Sequence, residues 1–231
     1  FMSNKTLEPL GDVRYLGLDV SAFSGEIDFA TVRASGRAAV YIRASVADDY
    51  ADPNFDANYI SARENGLLAG AYHVLTARTP EQARAQARFF AQTVAGRELQ
   101  LRPALVFDCL AGLTAANANA IALAFAQTLE ARTGITPVFY TNAYSAASIW
   151  EESLTRYPLW IADYGPKEPE SIGPWRSWVG FQYEDNGRVP GIAGNVDLDR
   201  FTEGVFVEEV SQPFSDVSPK AWYGPAVLDL Y

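Results

Sequence analysis

The chain has 231 residues, 48% of them hydrophobic, which is enough for one barrel-sized core and too little for two ordinary domains with linkers. Its 18 basic and 28 acidic side chains give a formal charge of −10, so nucleic acid is excluded as a partner and an anionic lipid surface is disfavoured. One cysteine, Cys109, and one histidine, His73, supply neither an internal disulfide nor a set of zinc ligands, and a structural zinc site is not expected.

Residues 1–12 read as a leader that lacks the apolar segment of a signal peptide, and no run approaches membrane-spanning length, so no membrane insertion is expected. Short apolar runs follow at Arg14–Val20, Ala38–Ala44, Ala69–Leu75, Ala104–Asp108, Thr136–Tyr140, Leu159–Ala162 and Trp178–Tyr183, each reading as a strand. Between them the pattern turns helical. Phe55–Asn65 has one apolar face and stops at Gly66, Thr79-Pro80-Glu81 opens the next helix with a cap and a first-turn proline, and Thr114–Arg132 closes at Gly134. After Tyr140 the helices shorten, and the stretch from Trp160 to Phe201 is rich in strands and turns.

Alternating strands and helices point to an α/β fold with a parallel sheet, and continuous apolar strands such as Pro103-Ala-Leu-Val-Phe107 imply burial on both faces. An irregular, TIM-like β/α barrel of about eight strands and five helices over residues 13–208 satisfies both conditions. A doubly wound open sheet is the alternative, but no strand is followed by a phosphate-binding glycine loop.

In such a barrel the chemistry sits at the carboxyl ends of the strands. Asp19 in Gly17-Leu-Asp-Val-Ser21, Asp108 after the fourth predicted strand, and Asp197 in Gly194-Asn-Val-Asp-Leu198 stand at such places. A single aspartate there is often only a helix cap; three are expected to converge in one acidic cleft. Asp108 stands out, because an acid directly after five apolar residues is costly to bury unless paired or facing a cleft. Phe23, Tyr72, Tyr140, Trp160, Tyr164 and Tyr183 fall at the same rim, and Tyr72, Tyr140 and Trp160 are each expected to offer an exposed face to a sugar ring. His73, beside Tyr72, is as readily a core residue as a catalytic one.

These pieces occur in an order that resembles glycoside hydrolase family 25, the lysozymes that act as N-acetylmuramidases. The resemblance runs from Tyr15 to Phe201 through Gly17–Ser21 with Gly25-Glu-Ile-Asp28, Tyr41-Ile-Arg-Ala44, Asp52-Pro-Asn-Phe55, Gly66–His73, Pro103–Asp108, Phe139-Tyr-Thr141, Leu159-Trp-Ile-Ala162, Gln182-Tyr183 and Gly187–Leu198. It implies a flattened barrel, cleavage of the bond from N-acetylmuramic acid to N-acetylglucosamine in bacterial peptidoglycan, no cofactor, and a secreted or cell-envelope location. It also implies that Asp19, Asp108 and Asp197 are the catalytic acids and that Tyr72, Tyr140, Trp160 and Gln182 line the sugar cleft.

Three positions depart from the family pattern. Where that pattern has Asp-x-Glu, with the glutamate as proton donor, this chain has Asp108-Cys109-Leu110. Val46 stands where an acid is usual, and Phe181 where a tryptophan is common. Leucine donates no proton, so the chain is expected either to cleave the glycan through another acid, with Asp163 the nearest candidate, or to bind it without cleavage. Alternation along an extended strand predicts that Asp108 and Leu110 face one cavity. The segment 209–231, with Pro213-Phe-Ser-Asp-Val-Ser-Pro-Lys-Ala-Trp-Tyr223, resembles the start of an S-layer homology module, which implies a secondary cell-wall polymer as a further partner.

Overall fold

The computed structural model describes residues 9–207. The helices obey the caps visible in the sequence. Thr79 accepts from the backbone of Gln82 at the start of α3 (Pro80–Thr93), Thr114 from Asn117 at the start of α4 (Ala115–Thr133), and Gly134 ends α4 in the left-handed conformation with φ 70°. The other helices are α1 (Phe29–Ala34), α2 (Phe55–Glu64) and α5 (Ala143–Ser148). The short α1 and α5 each begin at an Asp or Asn whose side chain accepts from a backbone N–H three residues on.

Nine strands make one sheet: β1 (Val13–Val20), β2 (Ala39–Val46), β3 (Tyr50–Ala51), β4 (Leu68–Val74), β5 (Ala104–Val106), β6 (Val138–Asn142), β7 (Leu159–Ala162), β8 (Gly180–Gly187) and β9 (Val196–Thr202). Their order is β1-β9-β8-β7-β6-β5-β4-β2-β3, and a further β1–β2 pairing closes eight strands into a barrel with β3 as a hairpin outside it. Pairings from β1 through β2 and β4 to β8 are parallel, whereas β9 runs antiparallel to both β8 and β1. The barrel is thus irregular where the sequence becomes strand-rich, with five helices around it.

Inward residues alternate with outward ones along every strand. The inward set packs as a compact aromatic centre in which Trp160 stacks on Tyr41 at 4.8 Å and meets Phe201 edge-on at 5.4 Å. Two glycines make room for these rings: a Cβ on Gly17 would stand 2.3 Å from Phe201, and one on Gly180 2.7 Å from Trp160. The outward set, with Leu105, Phe107, Phe139 and Phe181, packs under the helices.

Some boundaries differ from the sequence reading. The fourth predicted strand stops at Val106 rather than Asp108, because Phe107 to Leu113 turns back on itself through Leu110 N–H to Asp108 O and Leu113 N–H to Leu110 O bonds. Pro9 and Leu10, placed in the leader, pair with Trp178. Segment 209–231 lies outside the described residues, and among the described residues no helix is long and apolar enough to cross a membrane.

Candidate functional site at the barrel mouth

The acids gather at the face where the parallel strands end, Asp19 and Asp108 at carboxyl ends and Asp197 and Asp199 near the amino end of antiparallel β9. Asp19, one residue before the end of β1, lies opposite Asp197 in the β1–β9 register, and Asp199, opposite Gln182, follows two residues along β9 on the same inward face. This places Asp19, Asp197 and Asp199 side by side. A hydrogen-bonded row then crosses the mouth: Gln182 Nε2 donates to Asp19 Oδ2 at 2.6 Å, while Gln182 Oε1 accepts from the hydroxyls of Tyr140 and Tyr164, each at 2.7 Å. Asp108 follows β5 by two residues, and its charge, like that of Asp19, acts on Tyr140.

Charge placement in this mouth is costly. Burial, and then the charge of Asp197, hold Asp19 well above the ordinary carboxylate range, and burial followed by the charge of Asp19 does the same to Asp199. Asp199 is fully buried; its Oδ1 accepts from Trp160 Nε1 at 2.8 Å, and its Oδ2 has no hydrogen-bond partner. Burial lifts Asp197 to about 6, offset in part by a hydrogen bond from Asp19. Burial of its carboxyl likewise lifts Asp108 to about 6, although the residue as a whole is exposed and its access to water tempers that lift. The mouth thus holds several acids that keep protons to higher pH than free aspartate. Among the described residues no group of three or more His, Cys, Asp and Glu could hold a metal ion.

A cavity of about 240 Å3 opens beside Asp19 and Asp197, walled by Ser21, Phe23, Tyr72 and Asn195. Behind it Arg43, from the inward face of β2, donates from Nε to Asp52 Oδ2 at 2.8 Å, and both residues are buried.

Six residues stand elsewhere than the sequence reading put them. Trp160 is 1% exposed and belongs to the barrel centre, with no free face for a sugar; an indole that large fills the space above Gly180. Tyr72 and Tyr140, 9% and 7% exposed, are buried among the inward residues. Asp163 is turned away into its own loop, its Oδ2 accepting from Glu170 N–H at 2.8 Å. Leu110 shares no strand face with Asp108 and packs at the edge of the outer core. Tyr183 also faces outward, its ring under Arg200 at 4.7 Å. His73 is a core residue, sealed between Ser45 and Gln86, stacked on Phe125 at 5.0 Å and pushed down to about 4 by burial. Arg43, Asp52 and Asp199 were not singled out. Asp199 was readable from the two-residue strand period after Asp197, whereas the Arg43–Asp52 pair had no signal beyond the two motifs that contain its members.

An eight-stranded β/α barrel with acids gathered at the face where its parallel strands end has the layout of a barrel enzyme with its site at that face. The profile of glycosyl hydrolases family 25 matches residues 18–192, and the chain belongs to that family. It is 34% identical over 191 residues to an autolytic lysozyme of Clostridium acetobutylicum, a match covering 83% of this chain and 57% of that relative's length. To lysozyme M1 of Streptomyces globisporus it is 30% identical over 211 residues, covering 85% and 71% of the two. Among solved structures, a bacterial lysozyme from Streptomyces coelicolor superposes with a TM-score of 0.71 at 28% identity, over 81% of this chain and 91% of that one.

Proposed function

We propose that this chain recognises the alternating N-acetylmuramic acid and N-acetylglucosamine strand of bacterial peptidoglycan, and that hydrolysis by the family's usual route is lost. Asp19, Asp108 and Asp197, with Tyr72, Tyr140 and Gln182, form the glycan-binding face in this reading; Trp160 supports it from beneath. The observation that carries it is Leu110. At the position where the family resemblance puts the proton donor stands an apolar side chain seated on the outer core, and a missing general acid typically costs ~10²–10⁴ in rate.

One observation favours a second reading, slow cleavage with Asp108 as the acid. Its carboxyl follows the carboxyl end of β5 and is lifted to about 6 by burial, the direction a general acid needs. Purified peptidoglycan separates the two: co-sedimentation without release of reducing ends fits recognition alone. Release that falls away above pH 6 and is abolished by Asp108→Asn fits the second.

An extracellular or envelope-attached location follows from such a ligand. Residues 209–231, as the start of an S-layer homology module, would tie a longer parent protein to a secondary wall polymer. The match to little more than half of the clostridial relative's length is compatible with further modules.

A further inference from the structure

A single exposed phenylalanine on a protein surface ordinarily means nothing. Phe23 differs in how it is held. It lies on a short 3-10 turn (Ala22–Ser24) directly after β1, is 89% exposed, and walls the 240 Å3 cavity that Asp19 and Asp197 also line. Its ring has Arg43 on one side, the guanidinium carbon 4.8 Å from the ring centroid. That guanidinium is fixed in turn by Asp52, whose Oδ2 accepts from Arg43 Nε and from Ala22 N–H, while its Oδ1 accepts from Asn54 N–H. Ser21 accepts from the backbone N–H of Phe23 itself. A buried ion pair brings little net stability by its own attraction, yet here its members anchor the backbone and one ring face of an exposed aromatic. Tyr50, 43% exposed, lies on the same guanidinium at 5.8 Å. Phe23 is therefore the most exposed of the rings beside the acids, ahead of Tyr164 at 47%, and the one that walls the cavity with one face already supported.

We infer that Phe23 is a preorganised stacking platform for a pyranose ring of the wall glycan, with Arg43 and Asp52 as its positioning residues. The inference rests on the proposed recognition of peptidoglycan. A sugar stacks through its apolar C–H face, and a platform already fixed before binding loses little side-chain freedom on contact. Since one ring face is occupied by Arg43, the ligand approaches from the other, over the cavity that leads to Asp19.

The test is a set of binding isotherms on purified, insoluble peptidoglycan for wild type, Phe23→Ala and Phe23→Tyr, with thermal unfolding of each. An aromatic contact of this kind is expected to change affinity about three- to tenfold. Phe23→Ala should therefore bind that much more weakly with an unchanged melting temperature, and Phe23→Tyr should bind within about twofold of wild type. Wild-type binding with no change in Phe23→Ala overturns the platform and leaves peptidoglycan recognition standing. No binding by the wild type overturns both.

Discussion

Asp199→Asn is the substitution whose consequences follow most directly from the geometry of the mouth. Asp199 is fully buried, its Oδ1 taking the Trp160 N–H and its Oδ2 unpaired, with Asp19 beside it. Burial raises its folded-state pKa above the unfolded value near the ordinary 3.8. The folded state therefore binds more protons than the unfolded state once pH climbs past that unfolded value, and stability falls as pH rises through the window. Below it both states are protonated and the group contributes nothing. An asparagine keeps the acceptor for Trp160, offers an amide N–H to Asp19, and cannot ionise. The variant should match wild type at pH 4 and exceed it at pH 8, by about 1.4 kcal/mol for each pH unit over which the folded protein keeps the proton that the unfolded chain has lost. Urea unfolding at the two pH values measures this difference. An equal change at both, or a less stable variant at pH 8, would refute the picture of a proton-holding carboxyl at this position.

Trp160→Ala should act as a core deletion, costing about 3–5 kcal/mol in denaturant unfolding, because the ring fills the barrel centre between Tyr41 and Phe201; a fully stable variant with selectively weakened glycan binding would put its ring in the cleft instead. Leu110→Glu alone should return much less than the ~10²–10⁴ of a positioned acid when clearance of a cell-wall suspension is followed. Its loop leaves the strand at Val106, and Arg78, which donates to the carbonyls of Cys109 and Ala111 on either side, would hold a new carboxyl anionic.

The barrel was legible because its signals are periodic. Caps at Thr79 and Thr114, the glycine stop at Gly134, and apolar runs at strand length each follow from local chemistry that tertiary packing reinforces. Asp19 and Asp108 stand at strand carboxyl ends as the sequence suggests, whereas Asp197 enters at the amino end of antiparallel β9, and Asp19, Asp197 and Gln182 meet because β9 pairs with both β1 and β8. Position alone misleads about exposure. Trp160 and Tyr140 sit near strand ends, yet whether a ring faces a cleft or fills the barrel depends on the glycines opposite, and Gly17 and Gly180 draw the large rings inward. Leu110 was misplaced for a related reason: the two-residue alternation holds only while the chain stays extended, and β5 is only three residues long. Support for Phe23 was hidden because Arg43 and Asp52 come from separate segments joined by the β2–β3 hairpin and the turn after it.

Reducing-end release from purified peptidoglycan, with co-sedimentation on the same material, tests most directly the proposal that this family 25 barrel binds the wall glycan without the usual proton donor. The expected result is saturable co-sedimentation of the wild-type chain with release ~10²–10⁴ below that of a family member carrying the Asp-x-Glu pair, assayed side by side. Release at the full rate of that comparison enzyme would contradict it, as would a chain that leaves peptidoglycan in suspension unbound.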